Sequence, residues 1–152
     1  MFAISIAYKY LEWWDLLGDR PVLVRRTERN QLSLYNGVCA WDAGFICTRG
    51  AAVKTLLPGE GDAETEDGRW AFTPLPPADG VSVSGIPRFD SATKRLAVTS
   101  RIDRRFAVYD FADPSAPRPL FGAAISGEPG LAAFHEGKVV IPAGYQGLLI
   151  QR

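Results

Sequence analysis

The chain has 152 residues, of which 47% are apolar and 22% charged, a balance that is typical of a globular protein and excludes a largely disordered one. Its 17 basic and 17 acidic residues cancel, so we expect no nucleic-acid partner. Charges interrupt every apolar run, so we expect no membrane span. No basic segment precedes the apolar start of the chain. The apolar start is therefore not predicted to be a signal peptide. The compartment stays open, because an envelope-associated or secreted location would need a signal upstream.

Short strands separated by proline and glycine account for the whole length. The runs between these residues are rich in valine, isoleucine and aromatic side chains, and no segment keeps a period of 3.6 residues. A helical turn near Trp13 to Leu17 is the single competing prediction. In chain order the predicted strands are Phe2–Ser5, Trp13–Asp15, Val22–Val24, Gly37–Trp41, Phe45–Thr48, Ala52–Leu56, Trp70–Phe72, Ile86–Asp90, Leu96–Thr99, Phe106–Asp110, Pro119–Phe121, Gly130–Phe134, Val139–Ile141 and Leu148–Gln151.

These strands recur in groups. The segment Gly37–Gly44 aligns without gaps with Gly130–Gly137, 93 residues later, and Ile86–Asp90 stands about midway with the same aromatic residue before a polar turn. Trp13–Asp15 lies 95 residues before Val108–Asp110. Four short strands in a repeat of this length are typical of a β-propeller blade. An irregular sandwich or a partial barrel is the alternative.

If the four strands of a blade are called A to D, the chain contains B-C-D, A-B-C-D, A-B-C-D and A-B-C. The sequence therefore predicts about three and a half four-stranded blades of one propeller domain: a partial blade at 1–29, blades at 30–76 and 77–125, and a partial blade at 126–152. Because an open arc exposes sheet edges, we expect the chain to be the C-terminal part of a larger ring. A partner chain that carries the remaining blades is the other possibility.

The segment Phe106–Pro117 resembles the LVIVD-type propeller repeat, in which an apolar third strand ends in Asp and continues into an Asp-Pro-x-x-Pro loop. Gly147–Ile150 is similar to the same strand, and Trp14–Leu16 is a weaker match. Residues 52–67 depart from the pattern. The resemblance implies a propeller with an interaction or envelope-associated role and provides no catalytic positions. Asp113, in the turn, is expected to accept backbone hydrogen bonds.

The two cysteines, Cys39 and Cys47, lie symmetrically about Ala43, so a hairpin there would place them opposite each other. A cross-strand disulfide is one possibility, and two reduced, buried thiols are the other. With a single histidine, His135, the chain has too few ligands for a zinc site, and we expect no metal and no cofactor. His135 falls in a hairpin turn and is not expected to be catalytic.

Strand order places the D–A and B–C loops on one face, called upper here, and the A–B and C–D loops on the lower face. The upper loops are rich in basic residues, namely Lys9, Arg29, Arg49, Arg88, Arg101, Arg104 and Arg105, whereas acidic residues dominate the lower loops. A basic mouth concentrates anionic ligands. Solvated arginines with local acidic partners are the alternative explanation. We take as candidate ligand-binding residues Arg49, Arg88, Arg101, Arg104, Tyr145 and Gln146.

The leading functional hypothesis is a non-catalytic binding or scaffold module whose basic upper rim recognises a protein or an anionic glycan. The alternative is part of a propeller lyase or hydrolase acting on acidic sugars, to which Tyr145, Arg88 and Arg101 would contribute. The sequence contains no nucleophile elbow, phosphate-binding loop, dinucleotide fingerprint or zinc-protease motif.

Overall fold

The computed structural model describes residues 2–7, 10–28, 36–57 and 72–151, with backbone only for 2–11, 27 and 28. These residues form fourteen strands and one short 3-10 helix, Gly144–Gln146. The strands are β1 (Phe2–Ala7), β2 (Tyr10–Asp15), β3 (Val22–Glu28), β4 (Gly37–Trp41), β5 (Gly44–Arg49), β6 (Ala52–Leu56), β7 (Thr73–Pro74), β8 (Ile86–Asp90), β9 (Arg95–Ser100), β10 (Arg105–Asp110), β11 (Arg118–Ala124), β12 (Ala133–His135), β13 (Lys138–Pro142) and β14 (Leu148–Ile150).

The strands form four antiparallel sheets, each made of strands that follow one another along the chain. Their orders are β1-β2-β3, β4-β5-β6-β7, β8-β9-β10-β11 and β12-β13-β14. We call these sheets blades 1 to 4. This all-β arrangement is the predicted one and is consistent with a partial β-propeller. Among the residues that the structure describes, none forms a helix with the length and apolarity needed to cross a membrane.

Consecutive blades are joined by three apolar clusters. Trp13 of blade 1 packs with Cys47 and Leu56 of blade 2, and its ring lies 5.6 Å from that of Phe45. Ile46 and Val53, on the opposite face of blade 2, pack against blade 3. A third cluster joins blade 3 to blade 4. Among the described residues, blades 2 and 3 therefore bury both faces against neighbours, whereas blades 1 and 4 each bury one.

Blade 3 shows why this stacking requires continuous apolar strands. Leu96 and Val98 of β9 belong to the cluster shared with blade 2, whereas Ala97 between them belongs to the cluster shared with blade 4. Successive side chains of a strand point to opposite faces, so a strand buried on both faces is apolar at every position. All three side chains are fully buried.

The structure moves several predicted boundaries. The fourth strand of blade 2, expected at Trp70–Phe72, is Thr73–Pro74, and Trp70 and Ala71 lie outside the described residues. Phe72 packs against the cluster that joins blades 1 and 2, so its apolar character reflects packing before the strand begins. The helical turn considered near Trp13 is wrong, because β2 runs to Asp15.

The C–D hairpins of blades 1 and 3 contain the same irregularity. The register shifts between Trp13 and Trp14 in one hairpin and between Val108 and Tyr109 in the other, at positions that lie 95 residues apart. In each hairpin a β-bulge leaves one residue of the fourth strand unpaired and increases the local twist. Both hairpins thus bend at equivalent points.

The cysteines form no disulfide, and both are buried. The hairpin turns at Asp42 and Ala43, so Trp41 pairs with Gly44, Cys39 with Ile46, and Val38 with Cys47. Cys39 therefore faces blade 3 while Cys47 faces blade 1. The prediction that the cysteines lie opposite each other was wrong because it centred the hairpin on Ala43. The turn is centred one half-step earlier, between Asp42 and Ala43, and this change of register places the two cysteines on opposite faces of the sheet.

Acidic side chains on the lower face hold the turns that follow third strands. Asp113 accepts hydrogen bonds from the backbone N–H and the hydroxyl of Ser115, as predicted. Asp110 accepts from the N–H of Ala112, and Asp15 accepts from the N–H of Leu17 in the corresponding turn of blade 1. These short side-chain turns are structural, and they explain part of the acidic excess of the lower loops.

Candidate functional site

Loops from three blades meet on the upper face, where they line two open cavities. The larger cavity has a volume of about 570 Å³, and its walls come from the D–A loops that precede β4, β8 and β12 and from the B–C loop between β9 and β10. Its lining residues are Asn36, Ser84, Gly85, Ile86, Thr99, Ser100, Arg101, Ile102, Arg104 and Glu128.

The second cavity, of about 530 Å³, adjoins the first because both contain Asn36 and Ser84 in their walls. Its other lining residues are Arg49, the last residue of β5, Gly50 in the B–C loop that follows it, and Phe72. We call the two cavities together the upper cleft. It crosses the tops of blades 2 and 3 and reaches the loop before blade 4, so the predicted meeting of D–A and B–C loops on one face is confirmed.

The floor of the upper cleft is fixed by backbone contacts that side chains would prevent. A Cβ atom at Gly85 would lie 2.1 Å from the carbonyl oxygen of Thr99, so this position requires glycine. The carbonyl of Gly85 accepts a hydrogen bond of 2.6 Å from the buried hydroxyl of Thr48 in β5. This bond attaches the loop before β8 to blade 2 and sets the spacing of the two blades beneath the cleft.

Polar side chains at the edge of the cleft order its loops. The side-chain oxygen of Asn36 accepts a hydrogen bond of 2.8 Å from the N–H of Gly50. The hydroxyl of Ser100 donates to Asp103 at 3.0 Å and accepts from the N–H of the same residue at 3.2 Å. The B–C loop that contains Arg101 and Arg104 is thereby closed into a tight turn.

The three arginines of the cleft differ in their partners. Arg101 pairs with Glu128 at 3.1 Å, but their side chains are 67% and 64% exposed, so this surface ion pair contributes only about 0–1 kcal/mol. Within the described part of the chain, the side chains of Arg49 and Arg104 form no hydrogen bond or ion pair. Both are exposed. The cleft therefore contains guanidinium groups that are available to an anion, along with one carboxylate that competes for Arg101.

The structure brings together three of the six predicted ligand-binding residues. Arg49, Arg101 and Arg104 line the upper cleft. Arg88 does not: it lies in the middle of β8 and donates to the carbonyl of Pro87 at 3.3 Å, so its assignment to a loop was wrong.

Tyr145 and Gln146 also lie apart from the lining of the upper cleft, in the 3-10 helix of blade 4. Gln146 donates to the hydroxyl of Ser126, and the side chain of Tyr145 is fully exposed. Lys9 and Arg29 lie outside the described residues. The grouping of Arg88, Arg101 and Tyr145 that the enzymatic alternative needs is therefore not found around this cleft.

Sequence reasoning missed the polar residues Asn36 and Ser84, which occupy the junction of the two cavities. Each stands one or two residues before a first strand, β4 or β8. Because first strands begin at the same face of neighbouring blades, small polar residues at these positions were the available signal. Ile102, which follows Arg101 and is 94% exposed, was also missed.

Other reactive groups lie apart from the cleft. In residues 2–7, 10–28, 36–57 and 72–151, no three histidine, cysteine or acidic side chains form a group that could hold a metal ion. Burial raises the pKa of the Cys39 thiol to about 12, which keeps it protonated and a poor nucleophile. His135 is exposed at the end of β12, on the lower face.

The chain matches no protein-family model. No curated protein has a significantly similar sequence. The cleft's own chemistry consists of guanidinium groups for a carboxylate or sulfate, and of hydroxyl and amide groups that both donate and accept hydrogen bonds. These groups can bind and orient an anionic, hydroxyl-rich ligand.

Proposed function

We propose that this protein is a binding module whose upper cleft recognises an acidic carbohydrate. The observation that carries the proposal is the position of Arg49 and Arg104 at the edges of two adjoining cavities, with no acidic partner for either among the described residues. A planar guanidinium binds the carboxylate of a uronic acid, or a sulfate, through two parallel hydrogen bonds.

The remaining walls of the cleft support a sugar as the ligand. Asn36 and Ser84 lie where the two cavities meet and provide an amide and a hydroxyl that can bond to ring hydroxyls. The exposed apolar side chain of Ile102 offers a surface for the less polar face of a sugar ring. A cleft that crosses two blades suits an oligosaccharide of several units better than a single monosaccharide.

Glu128 competes with an anionic ligand for Arg101. Its carboxylate occupies the guanidinium of Arg101 at 3.1 Å and repels an incoming anion. An acidic ligand must therefore displace it, whereas a neutral ligand gains nothing from its removal. Replacement of Glu128 by glutamine is expected to increase affinity for acidic ligands alone.

The test is calorimetric titration of the full chain with oligogalacturonate, a sulfated heparin-type oligosaccharide and a neutral malto-oligosaccharide. We expect binding of at least one acidic ligand, weakened about tenfold in Arg49→Gln and in Arg104→Gln and strengthened in Glu128→Gln. Arg20→Gln, at an exposed arginine of the lower C–D loop of blade 1, is the matched control and should bind like the unmodified protein. Equal binding of neutral and acidic ligands, or binding that both arginine substitutions leave unchanged, would refute the proposal.

A further inference from the structure

Each of the two cavities of the upper cleft has its own positive charge. Among the described lining residues, Arg49 is the one charged side chain of the second cavity, and the larger cavity has Arg101, Arg104 and Glu128. Because Glu128 pairs with Arg101, the guanidinium of Arg104 supplies the net charge of the larger cavity. Neither Arg49 nor Arg104 lines both cavities. The cleft therefore offers two separate positions for an anionic group.

The junction between these positions is polar and uncharged. Asn36 and Ser84 line both cavities there. The side-chain oxygen of Asn36 accepts from the N–H of Gly50, so its NH₂ group is the part that can donate to a ligand. A hydroxyl or acetamido oxygen suits this donor, whereas a carboxylate at the junction would lose hydration without gaining an ion pair.

The spacing of the two anion positions is set by contacts beneath the cleft. A Cβ atom at Gly37 in β4 would lie 2.9 Å from the side chain of Ile86 in β8, so the first strands of blades 2 and 3 approach closely. The loop that contains Arg104 is attached at its base, since the N–H of Ile125 donates to the carbonyl of Arg104 at 2.8 Å. The acidic groups of a ligand therefore have to match a fixed spacing.

Arg104 has a backbone conformation that glycine adopts more easily. Its φ is 52°, in the left-handed region, at the end of the turn between β9 and β10. Lys94, with a φ of 53°, uses its side chain in an ion pair with Asp42, whereas the side chain of Arg104 has no partner among the described residues. An arginine at this position is therefore better explained by its guanidinium than by the turn.

We propose that the upper cleft selects a ligand with two acidic groups separated by an uncharged unit. Arg49 binds one acidic group, Arg104 binds the other, and the uncharged unit lies over Asn36 and Ser84. Given the proposed function, on which this inference rests, the ligand is a carbohydrate in which acidic and neutral sugars alternate. A chain in which every unit is acidic places a carboxylate at the uncharged junction and fits less well.

The test is calorimetric titration of the full chain with a hyaluronan tetrasaccharide, in which two glucuronate units flank an uncharged N-acetylglucosamine. We expect Arg49→Gln and Arg104→Gln each to weaken binding about tenfold and the double substitution about a hundredfold, because separate contacts are additive. Arg20→Gln is again the control. A double variant that binds no more weakly than either single variant would show that both arginines act on one acidic group, and it would overturn the proposal.

Two shorter ligands separate the spacing of the charges from their number. A hyaluronan disaccharide has one carboxylate, which either arginine can bind, so each single variant should bind it within about a factor of two of the unmodified protein. The double variant should not bind it. Digalacturonate has its two carboxylates on adjacent units and should behave like the disaccharide. An additive loss of digalacturonate binding would show that the cleft takes adjacent acidic groups and would overturn the proposed spacing.

Arg104→Gly separates a loss of binding from a loss of folding. Because glycine relieves the backbone at this position, the variant should unfold at a temperature no lower than the unmodified protein, yet bind the tetrasaccharide about ten times more weakly. If no acidic ligand binds, the proposed function fails and this inference fails with it. Binding of oligogalacturonate or the heparin-type ligand without binding of the hyaluronan tetrasaccharide would leave the proposed function standing and overturn this inference alone.

Discussion

Tyr109 is the one buried side chain in the described residues whose polar atom has no hydrogen-bond partner. Its phenol is enclosed between blades 2 and 3, and burial raises its pKa from 10.0 to about 12. Because an unpaired buried hydroxyl has lost its hydration, we expect Tyr109→Phe to raise the free energy of unfolding by about 1 kcal/mol in urea denaturation at neutral pH.

Tyr109→Phe should also change how the stability of the protein depends on pH in alkaline solution. As the pH rises above 10, the unfolded chain releases the phenolic proton while the folded chain keeps it, so the protein should lose stability progressively towards pH 12. Tyr109→Phe should lose less over this interval. Tyr145→Phe, at a fully exposed tyrosine, is the control for both measurements and should match the unmodified protein. A destabilised Tyr109→Phe variant would mean that the hydroxyl is satisfied after all.

The sequence was least informative about single residues, because a shift of one residue in strand register changes the face on which a side chain lies. The symmetric spacing of Cys39 and Cys47 was visible, but the pairing that separates them depends on the turn at Asp42 and Ala43. Arg88 was counted among the upper-loop residues, although it lies inside β8, a strand that the sequence itself predicted. Charge and spacing alone do not specify which face of a sheet a residue occupies.

Among the elements, the A–B hairpins of blades 2 and 3 are linked on the lower face. Asp42 accepts hydrogen bonds from the hydroxyl of Ser91 and from Lys94, whose Nζ lies 2.6 Å from the carboxylate. The bonds from Lys94 and Ser91 lower the pKa of Asp42. Asp42→Asn should therefore destabilise the protein at neutral pH, because it removes a carboxylate that the folded state stabilises.

The pH dependence of that loss tests its cause. A carboxylate with a lowered pKa stabilises the folded state above its usual pKa of 3.8 and stops doing so as the pH falls through its folded pKa. The difference between the unmodified protein and Asp42→Asn in urea denaturation should thus shrink in acid. Asp19→Asn, in an exposed lower loop, should show no comparable loss at neutral pH. A difference that stays constant with pH would exclude the ion pair as its source.

Elements were much more predictable than single residues. Strands such as Ile86–Asp90 and Ala52–Leu56 have the predicted bounds, because short apolar runs are enclosed by turn residues. The fourth strand of blade 2 was misplaced because Phe72 packs between blades just before the strand begins. The sequence predicted that the loops of the upper cleft lie on one face. It did not predict which residues form the walls, since Asn36 and Ser84 come from different blades.

For the whole molecule, stability is expected to be greatest in blade 3, which packs against a neighbour on both faces as blade 2 does, and whose central strands β9 and β10 are more completely buried. Val98 of β9 faces blade 2 and Val108 of β10 faces blade 4, and both are fully buried. In blade 1, by contrast, Val22 and Val24 of β3 are more than half exposed. Hydrogen exchange followed by mass spectrometry should therefore be slowest in β9 and β10 and faster in β3.

Val98→Ala and Val108→Ala form a matched pair that separates the two interfaces of blade 3. Each removes the same two methyl groups from a buried strand, at a cost on the order of 1–3 kcal/mol, so exchange should increase about tenfold or more near the cavity that results. In stacked sheets each blade contacts only its neighbours. The first variant should therefore raise exchange in β4 to β6, and the second in β12 and β13. If both variants raised exchange equally in every blade, the four sheets would open as one cooperative unit, and the interfaces could not be treated as separate sources of stability.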